Sequence, residues 1–303
     1  GQFYYNSTST TFKYVQPGTV GAWASGGALN TARNGLGGSQ AGTQTAALAF
    51  GGEGSLKNES ESYNGTSWTE GNNLINARQS IAGAGTQTAA LAAGGGTPAP
   101  LRALTEEYDG TSWSEQNDLN TGRYGLKAGG IQTAALVFAG TTGGSDRQAT
   151  TEKYDGTSWT EVNDLNTART DPGNLGTLQT NSLCAGGNTS PGANYISNVE
   201  IFDGTSWTEV ANTNANKHSA AGSGTSTDGI IFGGNIPSVT AATEAWNGTS
   251  WTEVADLATA RTALAGSGTG SLGLAFGGAE PSNSALTEEW TLPDVVIKTV
   301  TTS

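Results

Sequence analysis

The sequence predicts an all-β chain assembled from six copies of one short unit. A tryptophan recurs at intervals of 44 to 48 residues, and no segment shows the apolar period of an α-helix. Glycine accounts for 46 of the 303 residues, which indicates many tight turns. The eight Trp, eight Tyr and seven Phe argue against disorder, because aromatic residues are depleted in unfolded chains.

Each unit carries the same marks in the same order. The first mark is a tryptophan, found at Trp23, Trp68, Trp113, Trp159, Trp207 and Trp251. The second is a cation ten residues later, found at Arg33, Arg78, Arg123, Arg169, Lys217 and Arg261. A small apolar run ending in Gly-Gly follows, and then a Glu-x-aromatic segment whose aromatic residue lies five residues before the next Trp. These marks define a unit of four segments.

The four segments predict four short strands. The residues after the cation form the first strand, the apolar run the second, the Glu-x-aromatic segment the third and Ser-Trp-Thr-Glu the fourth. Dipeptides such as Asp109-Gly110 and Asn247-Gly248 reverse the chain before the fourth strand, because these residues tolerate the positive φ of tight hairpins. Four strands with their connections need about 44 residues, in agreement with the observed period.

A sheet of this size cannot bury both of its faces alone. Six such sheets arranged radially cover one another, which predicts a six-bladed β-propeller with a Trp wedged between neighbouring blades. Trp23 has no Glu-x-aromatic strand before it, and Trp290 has no Ser-Trp segment after it. We therefore expect the N-terminal strand around Trp23 to pair with the strand around Trp290, which completes the last blade and closes the ring.

The same pattern predicts the division of the chain. The propeller is expected to span residues 19–292, after an N-terminal β-hairpin over residues 1–18. Residues 293–303 are expected to form a C-terminal strand or tail that pairs with residues 8–15 or with another copy of the chain. The chain contains no Met, even at its first position, so we expect a processed product or a fragment of a longer protein.

The order of cation, Gly-Gly, aromatic-Asp and Trp resembles the kelch repeat, a family of β-propeller blades. The similarity covers roughly residues 19–292. This chain departs from the pattern at Ala139, which replaces a glycine, and at Lys217, which replaces an arginine. The resemblance implies a kelch-like propeller.

The charge balance excludes several classes of partner. The 26 Asp and Glu residues outnumber the 13 Lys and Arg residues, which leaves a formal charge of −13. Binding to nucleic acid or to an anionic membrane surface requires clustered Lys and Arg, so neither partner is expected. The sequence contains no run of about 18 apolar residues, so membrane insertion is not expected either.

Residues suited to catalysis or metal binding are few. His218 is the only histidine, which excludes two-His metal sites, and Cys184, the only cysteine, lies in an apolar run and is expected to be buried and inert. Asp118, Asp164 and Asp256 could ligate calcium, although turn and capping bonds explain them more simply. We therefore predict no enzymatic activity, no cofactor and no metal. Paired carboxylates for polysaccharide cleavage remain an alternative.

The repeated cation and the Glu of the third strand could line a charged pore or support the structure. Their six-fold recurrence favours the structural role, because a buried charge persists only when it is paired. The repeated Trp residues are assigned the same structural role, as wedges between blades.

The loops between the second and third strands vary most. The interval from the second Gly to the next aromatic residue ranges from 11 to 15, whereas the other intervals barely change. In a propeller these loops share one face with the blade-to-blade connections. Unequal loops on a rigid scaffold are typical of binding proteins. The alternative is that these surface loops vary in length and sequence without selection for binding. The candidate contacts bring polar or aromatic groups into these loops: Arg102, Asp146, Arg147, Asn194 and Tyr195.

The N-terminal segment, Gly-Gln-Phe-Tyr-Tyr-Asn-Ser-Thr-Ser-Thr-Thr-Phe-Lys-Tyr-Val followed by Gly21 and Trp23, resembles a short module of bacteriophage tail-fibre and other appendage proteins. The resemblance implies a non-enzymatic adhesin at the virion surface or outside the cell. Its partners would be a host-surface glycan or protein and other virion subunits. One alternative is a purely structural decoration protein of a capsid or fibre, and the second is a polysaccharide-cleaving enzyme.

Overall fold

The computed structural model describes residues 2–6, 11–15, 21–54, 56–96, 103–192, 194–293 and 297–300. Within these ranges all regular secondary structure is β, and six sheets of four antiparallel strands form a propeller ring. The all-β, six-bladed fold predicted from the repeat is therefore confirmed. The same ranges contain no helix with the length and apolar character that a membrane crossing needs.

The strands of blades 1 to 6 follow one another in chain order. The first strands, nearest the axis, are Gly37–Gly38, Ala82–Gly85, Lys127–Ile131, Gly173–Leu178, Ala221–Gly224 and Ala265–Gly268. The second strands are Ala47–Gly52, Ala90–Ala93, Ala134–Phe138, Asn181–Ala185, Gly229–Phe232 and Leu272–Phe276. The third strands are Lys57–Tyr63, Thr105–Tyr108, Thr151–Tyr154, Val199–Phe202, Thr243–Trp246 and Thr287–Thr291. The outer strands are Trp68–Glu70, Trp113–Gln116, Trp159–Val162, Trp207–Val210, Trp251–Glu253 and Ala22–Ser25.

The last of these outer strands closes the ring. Ala22–Ser25 pairs antiparallel with Thr287–Thr291, and Trp23 lies opposite Trp290 in the register. Blade 6 therefore combines three strands from the end of the chain with one from its beginning, as the sequence predicted.

Three further pieces of sheet in the described ranges lie outside the six blades. Gln2–Asn6, Thr11–Val15 and Ile297–Val300 form a three-stranded antiparallel sheet in that order, so the C-terminal strand pairs with the N-terminal hairpin. Most of the hairpin turn, predicted at Asn-Ser-Thr, falls outside the described residues. Two small hairpins occur in loops between second and third strands: Thr141–Gly143 with Asp146–Arg147, and Asn235–Ile236 with Ser238–Val239.

The repeated tryptophans join neighbouring blades. The Trp68 ring packs with centroid distances of 4.9 Å to Tyr63 of its own blade and 5.0 Å to Phe276 of the preceding blade. In five blades the indole N–H donates to a Ser or Thr hydroxyl on the third strand of the preceding blade: Trp23 to Thr243, Trp68 to Thr287, Trp113 to Ser60, Trp159 to Thr105, and Trp207 to Thr151. Val199 occupies this position beside Trp251, whose N–H donates instead to the Ala211 carbonyl at 3.0 Å. Burial and directional hydrogen bonds together make the Trp a wedge between sheets.

Buried ion pairs form the second repeated contact. Each cation forms an ion pair with the Glu of its own third strand: Arg33–Glu61, Arg78–Glu106, Arg123–Glu152, Arg169–Glu200, Lys217–Glu244 and Arg261–Glu288. In blade 1 the second oxygen of Glu61 accepts hydrogen bonds from the backbone N–H and the side-chain amide of Asn30, at 2.7 and 3.0 Å. The Arg33 guanidinium also donates to the Glu59 carbonyl at 2.7 Å. These pairs fix each blade-to-blade connection to the sheet that follows it.

A closed ring of backbone hydrogen bonds surrounds the axis. The second residue after each cation donates its N–H to the carbonyl of the equivalent residue in the preceding blade, over 2.6 to 3.2 Å, through Gly35, Ser80, Gly125, Asp171, Ser219 and Ala263. All six residues adopt positive φ, between 52° and 65°. The sequence predicted an inner strand directly after the cation, but in blade 6 that strand begins only at Ala265. The reason is that Ala263 adopts a left-handed conformation and its backbone bonds to the two neighbouring blades.

Glycines in the inner strands allow the blades to approach one another. A Cβ atom added to Gly83 would lie 2.2 Å from the Gly38 carbonyl oxygen of blade 1 and 2.8 Å from the Phe50 ring. Gly83→Ala is therefore expected to lower the free energy of unfolding by about 1–3 kcal/mol, because the backbone of the neighbouring blade must move. Urea unfolding followed by tryptophan fluorescence measures the change.

Gly71→Ala is the matched control for this substitution. The atom nearest to a Cβ at Gly71 is the Tyr108 hydroxyl oxygen at 3.5 Å, an ordinary contact distance. This variant is expected to unfold at nearly the wild-type midpoint. Equal unfolding midpoints for the two variants would contradict the role of close blade approach.

Candidate functional site

The variable loops and the blade-to-blade connections lie on one face of the ring. At the base of each loop, the residue after the cation forms an antiparallel bridge with the residue after the Gly-Gly pair: Asn34 with Glu53, Gln79 with Gly96, Tyr124 with Thr141, Thr170 with Asn188, His218 with Asn235, and Thr262 with Ala279. The loops therefore rise from a regular base around the axis. We call this surface the loop face.

Two of the candidate contacts lie on the loop of blade 3. Asp146 and Arg147 form one strand of its small hairpin, and the Asp146 carboxylate accepts a hydrogen bond from the Thr142 hydroxyl. Arg147 donates to the Gly144 carbonyl at 3.2 Å and to the Thr141 hydroxyl at 3.4 Å. Both side chains thus take part in holding their own loop. Arg102, the candidate on blade 2, lies outside the described residues.

The other two candidates lie on the loop of blade 4. The Asn194 side-chain amide donates to the Thr189 hydroxyl at 2.6 Å, again within the loop. Tyr195 is half-buried and its ring stacks on His218, with centroids 4.0 Å apart and ring planes at 27°. Among the described residues, no hydrogen bond joins the blade 3 candidates to those of blade 4. The structure therefore does not join the four described candidates into one site.

Tyr195 does contribute to a groove. It lines an open volume of about 340 Å³ together with Asn216, Ile236 and Pro237. The first wall comes from the blade 4 loop, and the second comes from the small hairpin of blade 5. The groove thus combines an aromatic ring, an exposed amide and two apolar side chains, a mixture suited to a ligand with both polar and apolar surface. We call it the Tyr195 groove.

His218 holds the Tyr195 ring by stacking against one of its faces. Its Nδ1 lies 3.0 Å from the Ser219 hydroxyl, whereas its Nε2 is buried without a hydrogen-bond partner among the described residues. Burial lowers the pKa of His218, and the nearby Asp171 carboxylate partly opposes that effect. The imidazole therefore favours its neutral form, which suits stacking against the tyrosine ring.

The axis opens on the loop face through a mouth with a mixed polar and apolar lining. Lys127, Asp171, Ser80 and Ser219 line a void of about 40 Å³ inside the ring of backbone hydrogen bonds, together with three leucines and one isoleucine. A second axial void of about 30 Å³ lies against Lys127 on the side lined by Gln40 and Asn174. The Gln40 side-chain amide donates to the Gly222 carbonyl of blade 5 at 3.2 Å, and it therefore spans part of the axial opening. We call the first void the axial mouth.

The remaining chemistry-bearing residues are used structurally. Asp118, Asp164 and Asp256 each accept a backbone N–H at the start of a third strand, from Thr105, Thr151 and Thr243. Cys184 is buried, and burial raises the pKa of its thiol to about 12. Among the described residues, no group of three or more His, Cys, Asp or Glu is placed to hold a metal ion.

Comparison with known proteins supports the architecture. The solved structure of YjhT is similar to this chain, with a TM-score of 0.71 and 12% sequence identity, over 89% of this chain and 99% of YjhT. Similarity at this level of identity shows the fold alone. No protein-family model and no curated protein sequence matches the chain.

The sequence interpretation missed most of the residues around these two openings. Asn216, Ile236 and Pro237 carry no repeated mark, and only the fold brings them beside Tyr195. Lys127 and Asp171 had a detectable signal, because aligning the six units shows that both replace small, uncharged residues.

Proposed function

We propose that this chain is a non-enzymatic binding propeller that recognises a surface glycan through the Tyr195 groove. The supporting observation is the stack of Tyr195 on His218 at 4.0 Å, which fixes an aromatic ring at the groove wall. A ring held in this way binds at low entropic cost, because the side chain is already ordered before the ligand arrives. Sugar rings present C–H faces to aromatic residues and hydroxyls to amides, and Asn216 supplies such an amide in the same groove.

The biological setting is proposed on sequence resemblance. The kelch-like repeat supplies the scaffold, and the N-terminal segment resembles modules of bacteriophage tail fibres and appendages. We propose a virion-surface or extracellular location, with a host-surface glycan as the ligand and other virion subunits as neighbours. The protein is then an adhesin, and neither a cofactor nor catalysis is part of the proposal.

Tyr195→Ala is the test of the groove. Binding to an array of bacterial surface polysaccharides identifies a ligand, and titration calorimetry then measures its affinity for the variant. We expect a loss of about tenfold, because an aromatic contact of this kind contributes on the order of 1.4 kcal/mol. Tyr195→Phe is expected to retain most of the affinity, since it preserves the stack on His218.

Tyr124→Ala is the matched control. Tyr124 follows the cation of blade 3 on the same loop face, but it does not line the Tyr195 groove. Its loss should leave the affinity unchanged. An equal loss in both variants would argue against the groove, whereas an array without any binding would favour a purely structural decoration protein. Release of new reducing ends from a bound polysaccharide would instead favour the enzyme.

A further inference from the structure

The six blades serve as internal controls for one another, and blade 3 departs from the others at the axis. Lys127 opens its inner strand. At the equivalent position the other blades carry only Gly or Ala: Gly37, Ala82, Gly173, Ala221 and Ala265. The scaffold therefore needs no side chain beyond Cβ at this place, and a lysine is the single exception in six.

A second departure lies on the same opening. Asp171 belongs to the ring of left-handed residues, and its equivalents are small and uncharged: Gly35, Ser80, Gly125, Ser219 and Ala263. The backbone bond that closes the ring uses only the N–H and C=O of each residue, so it does not require the carboxylate. Both charged departures nevertheless line the axial mouth. Positions at which a sequence breaks its own structural rule are candidates for function.

Lys127 also differs from the structural cations of this fold. Each of the six repeated cations bonds a buried glutamate, whereas Lys127 forms no ion pair or hydrogen bond with any residue that the structure describes. Burial lowers the pKa of Lys127, and the neighbouring Asp171 carboxylate acts in the opposite direction. Lys127 is half-buried rather than enclosed, so its ammonium can donate to a partner that enters the opening.

The size of the opening limits that partner. The axial mouth encloses about 40 Å³. A water molecule needs roughly 10–15 Å³ measured in this way, so the mouth holds about three waters or one group of three heavy atoms. A carboxylate has this size, and its two oxygens accept hydrogen bonds from an ammonium.

We propose that the axial mouth binds the carboxylate of a small ligand, with Lys127 as the donor to the carboxylate oxygens. Asp171, Ser80 and Ser219 line the same void, so these residues lie near the atoms next to that carboxylate. Because the Asp171 carboxylate only accepts hydrogen bonds and repels a bare anion, the site favours a ligand with a hydroxyl beside its carboxylate. This site is separate from the Tyr195 groove and does not depend on the glycan proposal.

The test is a titration of the intact chain, labelled with ¹⁵N-lysine, with sodium glycolate at constant ionic strength. We expect a saturable shift of the Lys127 ammonium resonance, and binding of glycolate at least threefold tighter than that of acetate. Lys127→Met should abolish the saturable binding. Lys57→Met removes a partly exposed cation that pairs with Glu59 away from the axial mouth, so it should leave glycolate binding intact.

Two measurements keep the proposal falsifiable. Thermal unfolding should show that Lys127→Met folds and is at least as stable as the wild type, because five blades accept Gly or Ala at this position. Asp171→Asn should remove the preference for glycolate over acetate. Glycolate binding that survives in Lys127→Met, or the absence of saturable binding to the wild type, would overturn the site. Equal affinity of the wild type for the two anions would overturn the role of Asp171.

Discussion

Replacement of Glu61 by Leu is expected to lower the free energy of unfolding by about 3–5 kcal/mol, because it leaves a buried guanidinium without its counter-charge. Arg33 Nη2 lies 2.9 Å from Glu61 Oε1, and neither side chain is exposed. Glu61 also accepts two hydrogen bonds from Asn30, so the blade-to-blade connection loses part of its attachment. Urea or guanidinium unfolding, followed by tryptophan fluorescence, measures the loss.

The neighbouring surface pair provides the control. Lys57 and Glu59 lie 3.2 Å apart, but their side chains are 23% and 28% exposed. Lys57→Met should cost less than about 1 kcal/mol, because solvent screens exposed ion pairs. The double variant Arg33→Met/Glu61→Leu should recover part of the stability, since it removes the unpaired charge. Similar costs for Glu61→Leu and Lys57→Met would show that the buried pairs are not the anchors described above.

Trp68→Ala is expected to lower the free energy of unfolding by about 3–5 kcal/mol, as for other large aromatic residues removed from a core. The Trp68 ring fills the seam between blades 1 and 6, where it contacts Tyr63 and Phe276, and its N–H bonds the Thr287 hydroxyl at 2.9 Å. Its loss leaves a cavity next to the blade that closes the ring. Calorimetric unfolding should therefore show a lower midpoint for the whole propeller in one cooperative step.

Two milder variants separate the contributions of this tryptophan. Trp68→Phe retains an aromatic ring but removes the N–H, and Thr287→Val removes the acceptor. Each is expected to cost about 1–3 kcal/mol, the range for a buried polar group that loses its partner. The seam between blades 4 and 5 shows that valine fits at this position, because Val199 packs with Trp251 there. If Trp68→Ala costs no more than Trp68→Phe, the wedge role is wrong.

The repeat made the fold predictable to the level of blades, strands and ring closure. Trp and Gly-Gly recur because one packing solution is used six times, so periodicity alone identifies the units. The ring of left-handed residues was not predictable in the same way. Asp171 and Ala263 disfavour positive φ, and only the cross-blade backbone bonds hold them there.

The candidate site was only partly predictable. Loop-length variation pointed to the loops between the second and third strands, and Tyr195, on one of these loops, lines a groove. Asp146, Arg147 and Asn194 are candidates because they bring polar groups into these loops, but their side chains bond within their own loops. A sequence does not show whether a loop residue faces a partner or stabilises its loop, because both uses require the same polar atoms.

The ring of six amide bonds has an electrostatic consequence for the mouth it encloses. Each N–H···O=C dipole points along the circumference from one blade to the next, so the six contributions cancel around the axis. A helix end, by contrast, adds its peptide dipoles and imposes a fixed sign on any ligand. The backbone therefore contributes no net charge at the axial mouth, and the side chains of Lys127 and Asp171 determine its polarity. Substituting these two residues alone would change the charge of the ligand that the mouth accepts, without disturbing the propeller.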